Sequence, residues 1–518
     1  MLLKKNVKIL ITIILMRLFL LPLSSLTASV QADSTQIKVE PSQAINKPFL
    51  GIGANWDTCD YDTIGVTPQD LALTEKRLDY MKMPIARVMM IAGWATNDGV
   101  TYNYNSTDMQ NLCKLLDYCQ LHNVTVILTE WGIKGLGWGA PNWDHSTLKG
   151  SDDPKYAEII GVYLNHLIND DGYTCIKYFL FYNEPNPESE DYTSWRNGVK
   201  NIAAELAKRG LDSKVTLMGS DEAIDPNWQH TTIQDLKDSL GAYDLHIYST
   251  NNNLLQETLQ TSITSEMSIE TQIDPNTSSK PFIISEAGMY MGDSFSDNYI
   301  YGLWMGDYAV QALRAGSSSV IAWMLDDNSH TDFEWGLWSD RSHGMFLKPW
   351  FYTWSLLTRS LPRGTIIYKV PETLPDLRVL AARTPAGNWT FVAVNRGDSE
   401  ADVTFNAFGD STRFNRYLYS YGKTSVDIDG FPVPESSFIA SISAVRTIIP
   451  PESVVIITSD NGVVTVDQAT SPGIPGYPIA SIICGVILGL IILSAPARKR
   501  ACSSREGNGS DLIIHYSD

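Results

Sequence analysis

The chain has 518 residues, 44% hydrophobic and 10% aromatic, with 58 acidic side chains against 39 basic ones and a net charge of −19. That length exceeds a single small module and allows a large core with an added domain, while 14 Trp and 24 Tyr exclude a mainly disordered chain. The acidity argues against nucleic acid as a partner, because phosphate binding needs clustered Lys and Arg, and against an acidic polymer as the default substrate.

Residues 1–32 open with Lys4, Lys5 and Lys8, continue through an apolar run from Ile9 to Leu26 broken only by Arg17, and end in Val30-Gln31-Ala32. That basic, apolar, small-residue order predicts a secretory signal peptide. Eight short apolar, β-rich runs follow: 49–55, 85–90, 124–128, 176–182, 215–219, 243–248, 281–285 and 319–324. Amphipathic stretches at 71–81, 109–122, 156–169, 192–209 and 299–315 lie between them. Near-continuous apolar strands belong to a sheet buried on both faces, hence parallel with helical crossovers. Eight such units predict an α/β fold, a closed (β/α)8 TIM barrel over 33–358. No Gly-rich phosphate loop follows the first strand, which argues against an open doubly wound sheet.

After Pro362 the helices stop. Short strands at 377–382, 389–395, 401–408, 413–420, 438–443 and 454–458, with turns such as Asn395-Arg396-Gly397-Asp398, predict a small antiparallel β-sandwich over 359–466. Gln36–Val39 is placed to add a strand to it. A Ser-, Pro- and Gly-rich linker, 467–478, leads to an apolar run at 479–495 and then Arg498-Lys499-Arg500. This predicts a C-terminal transmembrane helix, with the cell membrane as a partner, the bulk of the chain extracellular and 496–518 as a cytoplasmic tail. Of six cysteines, Cys113 and Cys119 lie six apart on a predicted helix and point to different faces, so they are not expected to pair. No cysteine spacing resembles a zinc site, and the pattern calls for no metal and no cofactor. Asn105, Asn123, Asn276 and Asn388 each open a glycosylation sequon.

The chemistry falls at the strand ends, where a (β/α)8 barrel carries its active site. The fourth predicted strand ends in Asn183-Glu184-Pro185 and the seventh in Ser285-Glu286-Ala287-Gly288. Strands four and seven face each other across an eight-stranded barrel, so two carboxylates meet at the mouth. Facing carboxylates suit glycoside hydrolysis, one as general acid and the other as nucleophile or general base.

With these residues the chain resembles the clan of retaining (β/α)8-barrel glycoside hydrolases that includes cellulase-, xylanase-, glucosylceramidase- and β-xylosidase-like enzymes. The resemblance covers about residues 48–358. It implies Glu184 as acid/base and Glu286 as nucleophile. It further implies Arg87 beneath the nucleophile, His246 and Tyr248 as a His-x-Tyr pair whose tyrosine supports the nucleophile, Trp323 as the floor of the sugar subsite, and Asn183 on the sugar 2-hydroxyl. A β-linked extracellular oligo- or polysaccharide is the implied substrate, a neutral glycan fitting the chain's acidity better than a uronate-rich one. An inactive barrel used for carbohydrate binding or adhesion, and a transglycosylase with the same residues, are the alternatives. The residues give the same roles physically. The guanidinium of Arg87 and the hydroxyl of Tyr248 favour a charged Glu286 with a low pKa, while Glu184 must keep a proton, which a negative neighbour favours. Glu130 and Trp131, directly after the third strand, are candidates for sugar contacts. Trp56, Trp138, Trp143, Trp335 and Trp338 are weaker aromatic candidates. Asp326, Asp327 and Asn328 read as a solvated loop.

Overall fold

Every barrel strand alternates its side chains between the barrel interior and the surrounding helices, so both faces of the closed sheet are buried. The computed structural model describes residues 34–460 apart from 46–47, 60, 132–147, 188–189, 224, 291–295, 328–334 and 371–373. Strand β1 (Thr35–Lys38) precedes eight barrel strands: β2 (Gly51–Trp56), β3 (Ile85–Met90), β4 (Thr125–Glu130), β5 (Ile176–Leu180), β6 (Thr216–Glu222), β7 (Ala242–Ser249), β8 (Phe282–Met289) and β9 (Ser319–Ala322). They pair in parallel in that order, and β9 returns to β2. Ile85, Ile127, Leu180, Met218, Ala242, Ile283 and Ile321 form a buried apolar plug inside the barrel. Their outward neighbours, such as Ala86, Val88, Val126 and Leu128, pack with the surrounding helices in the main core. Two residues beyond Ile85 on the same inward face comes Arg87, so the plug becomes the floor on which the polar site is built.

The helices start where side chains satisfy free backbone N–H groups. Thr67 and Asp70 form a capping box ahead of Pro68–Met81. Ser106, Asp153, Asp191, Asp225 and Asn298 cap Thr107–Leu121, Pro154–Asn165, Tyr192–Lys208, Pro226–Leu236 and Tyr299–Ala315. Thr258–Ile273 and Pro349–Ser360 complete the outer layer.

Beyond the barrel run β10 (Ile366–Tyr368), β11 (Leu377–Arg383), β12 (Trp389–Asn395), β13 (Ala401–Asn406), β14 (Ser411–Tyr419), β15 (Ser436–Ser441), β16 (Val445–Ile449) and β17 (Ser453–Thr458). A six-stranded sheet, β10-β11-β12-β17-β14-β15, faces a three-stranded one, β1-β13-β16. The early strand joins as the sequence suggested, but parallel to β13 within an otherwise antiparallel sandwich. Ile37, Val379, Phe391, Val403, Phe405 and Ile457 fill the space between the sheets. Cys113 and Cys119 are free thiols, in line with their expected lack of pairing. The predicted signal peptide, the linker at 467–478, the membrane span at 479–495 and the tail lie outside the described residues. No helix of the described residues is long and apolar enough to cross a membrane.

Candidate active site

The site is organised around a charge that cannot reach water. Arg87, with no exposed surface, donates from Nη1 to Glu286 Oε1 at 2.7 Å and Asn55 Oδ1 at 3.0 Å. From Nη2 it donates to Asn183 Oδ1 at 2.7 Å and Asp221 Oδ2 at 2.8 Å. A buried guanidinium is tolerated only when paired in this way, since losing one partner of such a pair costs about 3–5 kcal/mol. Arg87 thereby joins the ends of β5, β6 and β8.

Glu184 follows β5 with a left-handed backbone (φ +46°), a conformation that costs a non-glycine residue about 1 kcal/mol. Its N–H is held by Asp221 Oδ2 at 3.2 Å, and its Oε1 lies 2.8 Å from His246 Nδ1. A register shift after Leu245 sets His246 opposite Glu286, and Tyr248 follows on the same face of β7. Tyr248 donates to Glu286 Oε2 at 2.8 Å, and His246 Nδ1 is 3.4 Å from that same oxygen. One carboxylate oxygen from each of Glu184 and Glu286 and one nitrogen of His246 lie within 4.8 Å of one another. Gly288 is required beside them. A Cβ there would meet the Tyr248 ring at 2.8 and 2.9 Å.

Burial pushes the Glu286 carboxyl above its ordinary value, and the charges of His246 and Arg87 oppose this without cancelling it. This corrects the low pKa expected from Arg87 and Tyr248 alone, because desolvation of a group 4% exposed outweighs its partners. For His246 burial works against the charge, but Asp221 and Glu286 outweigh it and hold the ring's pKa well above the ordinary histidine value. Tyr248 is pushed well above 10 by burial and by Glu286, so it remains a protonated donor.

Sequence reasoning did not find Asn55, Asp221, Asp244 or Ser285 as site residues. Asp221 is fully buried with φ +58°, at a register shift between Ser220 and Glu222 that turns its carboxylate inward. Burial opposes its charge, but Arg87 and His246 lower its pKa below the ordinary carboxylate value. Asp244 sits behind it, pushed well above the ordinary value by burial and by Asp221, and accepts from Ser285 Oγ at 2.5 Å. The available signal was the acidic pair Asp221-Glu222 at the end of a barrel strand.

The remaining candidates separate. Trp323 is half-buried at the end of β9, and Trp131 lies beside it with ring centroids 6.5 Å apart. Trp335 meets Tyr248 edge-on at 5.8 Å. Glu130 is 2% exposed, and its carboxylate accepts from Ala92 N at 3.0 Å and Tyr156 O–H at 3.1 Å, so it holds the loop after β3. Trp56 and Trp338 are packed in the core. Trp138, Trp143 and Asn328 lie outside the described residues. Asp326 and Asp327 are not solvated as expected: both are buried, Asp326 accepting from Tyr61 O–H at 3.0 Å and Asp327 from Lys348 Nζ at 2.8 Å. Two groups have metal-ligand atom types, Glu184–His246–Glu286 and Asp221–Asp244–His246. The cation that serves Glu286 and Asp221 is the guanidinium of Arg87, at 2.7 and 2.8 Å.

No protein-family model and no curated protein matches the chain. Solved structures do match. The catalytic domain of GH30 xylanase C from Talaromyces cellulolyticus aligns with a TM-score of 0.60 at 13% identity, covering 84% of this chain and all of that one. The GH39 enzyme from Xanthomonas axonopodis pv. citri aligns at 0.59 with 14% identity over 85% of this chain and 99% of its own. A GH30 endoxylanase from Clostridium papyrosolvens C71 gives 0.57 at 15%, over 82% and 99%. At these identities the likeness is one of fold: the closed barrel with its attached β-domain is an architecture that glycoside hydrolases use.

Proposed function

We propose that the chain is a retaining glycoside hydrolase that cleaves β-linked, neutral oligo- or polysaccharides by double displacement. The observation that carries this reading is the close approach of the two glutamates, one oxygen of each lying within 4.8 Å of the other, which supports the narrower of two known arrangements. Retaining enzymes hold their carboxyl groups about 5–5.5 Å apart, whereas inverting enzymes leave about 6.5–9.5 Å for a water. Glu286, held by Arg87 and Tyr248, attacks the anomeric carbon while Glu184 protonates the departing oxygen. A covalent glycosyl-enzyme forms, and Glu184 then removes a proton from the water that hydrolyses it. Trp323 and Trp131 offer aromatic faces for a sugar ring, and Asn183 is assigned to the sugar 2-hydroxyl. The acidity of the chain favours a neutral glycan. Neighbours named as xylanases, a β-xylosidase and an endo-β1,6-glucanase favour the β linkage. A signal peptide at 1–32 and a span at 479–495 would put this activity outside the cell on a single-pass anchor.

The test is a panel of aryl β-glycosides and neutral polysaccharides with the wild type and Glu286→Ala, with the product anomer read by NMR. The expected result is hydrolysis with retained configuration, abolished in the variant. An inverted product would refute the double displacement. A wild type as inert as the variant on every substrate would refute the enzyme and leave a carbohydrate-binding barrel.

A further inference from the structure

Asp221 has no part in the mechanism just given, yet both its oxygens point into the machinery. Oδ2 accepts from Arg87 Nη2 at 2.8 Å and from the Glu184 backbone N–H at 3.2 Å. Oδ1 lies 2.8 Å from His246 Nε2. A carboxylate gripped by a buried guanidinium stays ionised and can only accept. Nε2 must therefore be the donor, and it carries a hydrogen in both charge states of the ring. The one variable proton of His246 is then on Nδ1, whose nearest partner is Glu184 Oε1 at 2.8 Å, with Glu286 Oε2 at 3.4 Å.

We propose that Asp221 is a positioning residue that fixes the tautomer of His246, so that Nδ1 and the Glu184 carboxyl share the proton delivered to the glycosidic oxygen. The proposal rests on the glycosidase reading. At rest the ring is an imidazolium favoured by the carboxylates of Asp221 and Glu286, and Glu184 carries the proton of a general acid. As Glu286 bonds to the anomeric carbon and the C–O bond breaks, Glu184 gives a proton to the leaving oxygen and Nδ1 replaces it. Glu286 is now an uncharged ester, and the anion that favoured the imidazolium has gone. When water attacks the anomeric carbon, its proton passes to Glu184 and on to Nδ1, and the ester C–O bond breaks to return Glu286 as a carboxylate. No net proton is consumed. The groups facing His246 are Glu184 from β5, Asp221 from β6, Glu286 from β8, and Asp244 and Tyr248 on its own strand, with Arg87 behind Asp221 and Glu286. Burial opposes the resting imidazolium, but Asp221 and Glu286 outweigh it.

Two measurements test this. In the intact protein with 15N-labelled histidine, His246 (assigned by its loss in His246→Gln) is expected to keep its Nε2 proton at every pH while Nδ1 alone titrates. A neutral ring protonated on Nδ1 overturns the proposal, even in an active enzyme. In the second, Asp221→Asn is compared with wild type on two leaving groups. A methyl glycoside, which needs protonation to depart, is expected to lose about 100-fold in kcat/KM, as removal of general acid catalysis does. A 2,4-dinitrophenyl glycoside, which does not, should lose much less, and the basic limb with the methyl glycoside should move down by about one pH unit. Equal losses with an unmoved basic limb overturn the proposal, since Asp221 would then act only through Arg87 on Glu286. The NMR result needs no activity, and its one variant, His246→Gln, serves only to assign the signal. A fixed Nε2 proton in a chain inert on all glycosides would sink the glycosidase reading and leave the tautomer assignment standing.

Discussion

Tyr248→Phe isolates one hydrogen bond to the proposed nucleophile. The phenol donates to Glu286 Oε2 at 2.8 Å, Arg87 serves Oε1 at 2.7 Å, and His246 offers Oε2 only a longer contact of 3.4 Å. The ring lies over Gly288 and edge-on to Trp335, contacts that phenylalanine preserves, so the change removes the hydroxyl and little else. A hydrogen bond to a charged group contributes about 1.5–3 kcal/mol. At about 1.36 kcal/mol per decade this predicts a loss of about 13- to 160-fold in kcat/KM. The pH profile carries the sign. The phenol favours the ionised carboxylate, so its loss moves Glu286, already raised by burial, further up. The nucleophile must be ionised, so activity should fall off at a higher pH on the acid side than in the wild type. The assay is kcat/KM on a dinitrophenyl β-glycoside across the acid limb, with thermal unfolding as a control. An unchanged kcat/KM, or an acid limb that moved down, would refute the reasoning.

Gly288→Ala should reproduce this effect from the other side, because its new Cβ would sit 2.8 Å from a Tyr248 ring carbon and push the hydroxyl off Glu286. Combined with Tyr248→Phe it should add little, whereas full additivity would show that Gly288 acts elsewhere. Asp326→Asn tests a structural charge. Burial raises Asp326 from 3.8 to about 7, so the folded state holds its proton more tightly than the unfolded one and stability falls as pH rises through that range. The amide cannot ionise, so wild type and variant should match near about pH 4, and the variant should be the more stable near about pH 8 by up to about 4 kcal/mol. Denaturant titrations showing a pH-independent difference would refute the assignment.

The barrel was legible because its strands are buried on both faces, and such strands are apolar runs that need no context to recognise. All eight predicted runs coincide with β2 to β9. Their C-terminal ends were less legible. β6 was expected to stop at Gly219 and β8 at Ser285, but they continue to Glu222 and Met289. The extra residues are polar or small because the site needs them, and this breaks the pattern that marks a strand. Asp221 was lost for that reason, and Asp244 because a lone carboxylate within a strand looks the same whether it is hydrated or locked into a buried network. Arg87, Glu184, His246, Tyr248 and Glu286 came from position at strand ends and from the resemblance, and the fold brings all five together. Thr258–Ile273 escaped notice because its Ser and Thr residues blur the apolar stripe. Pro349–Ser360 escaped because it is buried almost all round, between barrel and sandwich, and so lacks a polar face.

That burial decides what the sandwich does. Leu380, Val392, Val394, Tyr417, Tyr419, Val454 and Ile456 belong to the same core as the barrel helices, so one face of the six-stranded sheet completes the barrel's own packing. Ions bridge the same seam. Arg396 from the sandwich reaches Asp307 Oδ2 at 2.6 Å, and Asp307 has no exposed surface. The helix that carries Asp307 also donates from Tyr308 O–H to Ile247 O at 2.8 Å, on β7 between His246 and Tyr248. Arg378 holds Leu255 O at 2.9 Å, just past the end of that strand. The sandwich therefore braces the strand that supports both glutamates, and it should not behave as a detachable module. Arg396→Met would leave Asp307 without its nearest cation and should cost about 3–5 kcal/mol of stability. A fragment ending at Leu361 would expose the apolar sides of Tyr299–Ala315 and Pro349–Ser360, and it is expected to be insoluble or to lack cooperative unfolding. A soluble, monomeric fragment with a sharp transition and wild-type kcat would show that the barrel stands alone and that the seam has no part in the site.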